Sequence, residues 1–176
     1  QRKLMNVQTD EERIELHKKI AKLATQKLDN PALAIESYQS ALYIKKSPEC
    51  YEELEALYVA QDQFHDLYDI LIQQLDESSD NAQRAQILVK LGAICGAKLH
   101  DNNQAIDFLQ QALQLQPSNE GALAELDAIL TAEKRYDELL ELLQKQRAIA
   151  SSTDEQIAVN IRIAKLAATH LNDREN

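Results

Sequence analysis

Apolar residues recur three and four positions apart along almost the whole chain, the spacing of one face of an α-helix. Ile14, Leu16, Ile20, Leu23, Ala24 and Leu28 set the pattern, and Leu33, Ala34, Ile35, Tyr38, Ala41, Leu42 and Ile44 continue it. Polar or proline-bearing points interrupt it at Asp29-Asn30-Pro31, Ser47-Pro48, Asp62-Gln63, 77–81 and 151–153. The spacing predicts helices over 9–28, 31–45, 48–61, 64–76, 82–99, 103–115, 118–133, 136–148 and 154–171. Thr9-Asp10-Glu11-Glu12 and Thr153-Asp154-Glu155-Gln156 read as capping boxes. Pro31 and Pro48 stand where proline suits a helix, directly after the caps Asn30 and Ser47.

The pattern also repeats on a larger scale. Ile20–Asn30, IAKLATQKLDN, returns as Ile163–Asp173, IAKLAATHLND, with a degenerate copy at Leu91–Asp101, LGAICGAKLHD. The copies start 71 and 72 residues apart. Ala34, Tyr38 and Ala41 align with Ala105, Leu109 and Ala112. Leu54, Tyr58, Leu67 and Leu71 align with Leu126, Leu130, Leu139 and Leu143. A unit of this length with four helices is two helical hairpins, and each hairpin is close to the 34-residue period of a known repeat class.

Ala105-x3-Leu109-x2-Ala112 followed by Pro117, Ala34-x3-Tyr38-x2-Ala41, the pair Leu91-Gly92 and Leu54-x3-Tyr58 together resemble the tetratricopeptide repeat. The resemblance implies an all-α fold: a right-handed α-solenoid of helix-turn-helix repeats with about nine helices and a 72-residue double-hairpin super-repeat. Its hairpins would cover 9–46, 47–80, 81–117 and 118–150, with 153–173 the first helix of a fifth and 1–6 the tail of a preceding helix. On this reading 1–176 is one solenoid cut from a longer protein, and Ile163 and Leu166 should face outward. Leu67 and Leu139 stand where the family prefers alanine, which should widen their hairpins, with Tyr58 and Leu130 filling the gap.

Composition agrees with helices: three glycines and three prolines are too few for the turns of a β-sandwich. A formal net charge of −10 opposes nucleic acid or an anionic membrane surface as the main partner. No apolar run is long enough to insert into a membrane. Cys50 and Cys95 read as small apolar fillers, and the absence of a targeting signal in the fragment fits a cytoplasmic setting. The four histidines lack metal-ligand spacing, and no nucleophile elbow or phosphate loop is present. We therefore expect no enzyme, no metal and no cofactor.

Charge is uneven. From Ser47 to Gln83 there are ten acidic residues and no Lys or Arg, whereas residues 1–28 carry seven basic and four acidic ones. Six of eight aromatics also lie in the first 72-residue unit. These features fit a solvated outer face that keeps the chain soluble, with Tyr38, Tyr58 and Phe64 as core, and also suggest an acidic, tyrosine-bearing surface, with Tyr51, Glu52 and Glu53, that attracts a basic peptide or helix. Tyr43 and Tyr51 are the tyrosines with least core duty. In the resembling family the first helices line a concave groove. That implies contacts from Lys18, Lys22, Gln26, Lys90, Ala93, Ala97, Asn160, Lys165 and Thr169. Lys22 and Lys165 are equivalent, but Ala93 breaks the series, so the family's carboxylate clamp is not matched. The expected function is a protein–protein interaction scaffold. Its alternatives are a non-catalytic repeat domain appended to an enzyme and an RNA-binding helical-repeat module, which the acidic balance opposes.

Overall fold

The computed structural model describes residues 9–171, and over these the chain is built of helices. They are α1 (Asp10–Lys27), α2 (Pro31–Ile44), α3 (Pro48–Ala60), α4 (Phe64–Glu77), α5 (Asn81–Ala97), α6 (Asn102–Leu115), α7 (Glu120–Ala132), α8 (Tyr136–Ile149) and α9 (Thr153–Leu166). A short π-helical turn, Ala167–Leu171, continues α9. The proposed tail at 1–6 lies outside the described residues.

Local chemistry starts most of these helices. The Thr9 hydroxyl accepts the Glu12 N–H at 3.2 Å, and the side chains of Asn30, Asp80, Asp101 and Asn119 cap α2, α5, α6 and α7 in the same manner. Three expectations shift here. Ser47 makes no side-chain cap bond, so α3 starts on Pro48, which has no N–H to satisfy. Helix α7 begins at Glu120 rather than 118, because Asn119 supplies the cap. The second capping box sits one residue earlier: the Ser152 hydroxyl accepts the Glu155 N–H at 3.2 Å, and the Glu155 carboxylate accepts the Ser151 N–H at 2.8 Å.

The first helices α1, α3, α5 and α7 end alike. Asp29, Asp62, His100 and Lys134 have φ of 46°, 53°, 57° and 57°, the left-handed region usually given to glycine. The following N–H folds back over the helix end: Asn30 to the Ala24 carbonyl, Gln63 to Tyr58, Asp101 to Cys95 and Arg135 to Leu130, all at 2.9–3.0 Å. The chain then reverses into the second helix.

The chain divides into two compact units, Gln1–Gln74 and Leu75–Asn176. In the first, α1 and α2 pack closely, with Ala21, Ala24, Ala34 and Ala41 all fully buried between them. In the second, α5 and α6 do the same around Ala105 and Ala112. There Gly92 is required by space, since a Cβ would lie 2.7 Å from Leu109 Cγ and 2.8 Å from its Cδ2. The α3–α4 and α7–α8 pairs are more widely spaced, as leucine at 67 and 139 implies. Tyr58 and Leu130 are buried in those gaps.

The end of the second unit differs from expectation. Leu166 is buried, only 8% exposed, where α9 packs on α8, and Ile163 is half-buried. The exposed apolar residues of α9 are instead Ile157 and Ile161. Ala164 is exposed too, although its equivalents Ala21 and Gly92 are buried under the second helix of their hairpins.

Candidate functional site

In the first unit the structure joins the basic residues of α1 to an acid on α3. Lys18 Nζ donates to Glu49 at 2.7 Å and Lys22 Nζ to its other oxygen at 3.1 Å. The paired carboxylate raises the Lys18 pKa, and the two lysines hold Glu49 below its ordinary value. Lys18 has most of its stem packed away, leaving 15% of its side chain exposed. It ties α1 to α3 rather than reaching outward, which corrects its assignment as an open contact residue. Gln26, further along α1, is exposed.

Tyr51 is the second correction. It is 3% exposed, buried on the face of α3 that it shares with Leu54 and Tyr58. Tyr43 is 92% exposed. Glu52 is exposed, while Glu53 is half-buried near the Tyr38 hydroxyl. Burial first, then the nearby carboxylates, push Tyr38 up to about 12.

In the second unit Lys90 on α5 and Asn160 and Lys165 on α9 are exposed. Helix α7 lies beside α5 and is pinned to α9 by Arg162 and Asp127, 2.5 Å apart. These first helices are thus held side by side. The sequence reading missed Glu49, Asp127 and Arg162, because their partners lie 27 to 35 residues away.

On the other side of this unit, α6, α7 and α8 enclose a cleft of about 480 Å³. Leu113, Leu123, Leu130 and Leu142 line it, with Gln110 and Glu141 among the polar residues around them.

Cys50 and Cys95 are buried and unpaired, and burial pushes Cys95 up to about 11 and Cys50 upward. Both are therefore thiols rather than thiolates at neutral pH. Burial, then Arg13, lowers His17. Among the described residues no three His, Cys, Asp or Glu side chains gather as a metal site would require. None of the described helices is long and apolar enough to cross a membrane.

Helical hairpins of this kind are found in solved structures. The chain superposes on MamA with a TM-score of 0.57 at 19% identity, covering 86% of this chain and 81% of that one. Pseudomonas aeruginosa PilF gives 0.57 at 18% identity over 92% and 70% of the two chains. A Podospora anserina putative kinesin light chain with nearly identical TPR-like repeats gives 0.54 at 17% over 96% and 92%. The fold is a tetratricopeptide-like repeat array. At these identities the likeness extends to the fold alone. No protein-family profile matches the chain, and no curated protein does. In tetratricopeptide terms, the ion pairs Lys18–Glu49, Lys22–Glu49 and Arg162–Asp127 all run between first helices of successive hairpins. The 480 Å³ cleft lies between the second helices α6 and α8 and the first helix α7.

Proposed function

We propose that the chain is a non-catalytic protein-interaction scaffold whose first helices receive a peptide or helix of a partner. The observation that carries this reading is the cross-bracing of those helices. In each unit an ion pair sets neighbouring first helices in register, at Glu49 and at Asp127. Exposed polar side chains are then presented on fixed backbones: Gln26 and Glu52 in one unit, Lys90, Asn160 and Lys165 in the other. A surface already ordered loses little further entropy on binding. The acidic run from Ser47 to Gln83 favours a basic partner and speeds its approach.

Photo-crosslinking tests it. A benzoylphenylalanine replacing Lys90 or Asn160 on first helices is expected to capture a discrete polypeptide. The same probe at Glu36, exposed on the second helix α2, should not. Capture that is equal at the three positions, or confined to Glu36, would sink the proposal. The double change Glu52→Lys with Glu53→Lys should weaken binding of a Lys/Arg-rich peptide, and an unchanged affinity would remove the basic partner from it.

A further inference from the structure

The cleft of the second unit has an internal counterpart that is filled. In the first unit, α3 buries Tyr51 and Tyr58, the latter against α2. Both are 3% exposed, as is Leu42 of α2. The Tyr58 hydroxyl accepts a hydrogen bond from Gln39 Nε2 at 2.7 Å. The repeat places Leu123, Leu130, Leu113 and Gln110 at the corresponding positions. All four line the cleft of about 480 Å³, and Leu113 and Leu123 are only half-buried. A leucine side chain stops short of the space that a tyrosine ring and its hydroxyl reach. The same architecture with two aromatic residues is closed, and with two leucines it is open.

The geometry points to the α6–α7–α8 cleft as an acceptor for a tyrosine side chain carried by a partner protein. Gln110 would donate to the phenol as Gln39 donates to Tyr58. An apolar floor with few polar groups that fix orientation is the usual make-up of a ligand pocket, and the volume lies within the common range of about 300–1,000 Å³. A ring of this kind contributes large contact area while losing little side-chain freedom. Around the cleft Glu138 is held by Arg135 at 2.6 and 2.8 Å, which leaves one acid, Glu141, and one base, Lys145, so the ring and its hydroxyl rather than flanking charge carry the recognition. The inference rests on the interaction reading for the polypeptide nature of its ligand, but it uses the cleft of α6, α7 and α8 where that reading uses the exposed residues Lys90 and Asn160 of α5 and α9. Failed crosslinking at Lys90 with binding at the cleft would therefore overturn only the first-helix surface, and the converse would overturn only the cleft.

The test uses acetyl-Lys-Tyr-Lys-amide, with phenylalanine and alanine versions, titrated into the whole chain while leucine methyl resonances are followed by NMR. The tyrosine peptide is expected to shift the methyls of Leu113, Leu123 and Leu130, and the alanine peptide to leave them in place. Leu130→Tyr, which fills the cleft from within, should weaken binding by at least about tenfold, the cost of losing a buried ring contact. Should that variant fold poorly, Gln110→Leu at an exposed position serves instead. It should erase a roughly three- to tenfold preference for tyrosine over phenylalanine, the worth of one hydrogen bond. No methyl shifts, or shifts that survive both substitutions, would overturn the assignment. So would a concentration-dependent self-association that shifts the same methyls and is abolished by Tyr43→Ala, since the occupant would then be a second copy of this chain.

Discussion

Four residues with positive φ, none of them glycine, turn the chain from the first helix of each hairpin into the second. A side chain in this region crowds its own carbonyl and costs about 1–2 kcal/mol, less for Asp, whose short polar group bonds locally. Lys134 has no such relief, and both it and Asp62 are exposed. Lys134→Gly should therefore stabilise the chain by about 1 kcal/mol, and Asp62→Gly by less, read from the urea midpoint. Unfolding at lower urea in Lys134→Gly would mean that the side chain contributes more than its backbone strain removes. These turns were only half legible in the sequence. The cap Asn30 and the proline after it marked one, and the rule that glycine closes a helix would have found none of the four. Tyr51 misled for a related reason: a lone aromatic on a helix looks spare until the width of the facing gap is known. Its burial goes with that of Leu54 and Tyr58, three and seven positions on, which share its face of α3.

Between elements, the tie from α1 to α3 sets a pH window. Glu49 titrates below its ordinary 4.5 when folded, so its contribution is present above that value and is lost as pH falls through the lower folded one. Lys18 titrates above its ordinary 10.5, so its share is present below that value and is lost as pH rises through the higher folded one. The tie thus operates fully from about pH 5 to pH 10. With 47% of the Glu49 side chain exposed, solvent screens it to no more than about 1 kcal/mol. Glu49→Gln is expected to lower stability by up to that amount at pH 7, and the difference from the unaltered chain should shrink as pH falls below 4.5 and vanish once Glu49 is protonated in the folded chain. A difference that persists undiminished in acid would show that packing, not charge, joins these helices. The hairpins themselves were legible, since small residues at Ala34, Ala41, Ala105 and Ala112 marked the close pairs, and Leu67 and Leu139 marked the wide ones. The ties were not, because a charge carries no sign of which distant helix face will meet it. The cleft was written in the sequence only as the replacement of Tyr51 and Tyr58 by Leu123 and Leu130, a difference whose consequence needs three helices in place.

For the whole molecule the contest is between ion pairs and net charge. The pairs are mostly exposed, and each contributes at most about 1 kcal/mol. Against them stands a net charge of −10, with ten carboxylates and no Lys or Arg between Ser47 and Gln83. Two carboxylates about 10 Å apart repel by about 0.4 kcal/mol in water, and these ten lie along α3, α4 and the turns that follow them with no Lys or Arg among them. Unfolding spreads them out, so repulsion favours the unfolded chain. Raising salt from about 10 mM to 100 mM shortens the screening length from about 30 Å to about 10 Å, which relieves this repulsion while weakening the few ion pairs less, since their charges are in contact. The thermal midpoint should therefore rise with sodium chloride by about 2–5 °C over this range, corresponding to about 1 kcal/mol for a chain of this size. Chloride is the appropriate salt, because sulfate would strengthen apolar burial on its own account. A midpoint that falls with added chloride would show that the bridges at Glu49 and Asp127, rather than the acidic run, dominate the electrostatics of this repeat array.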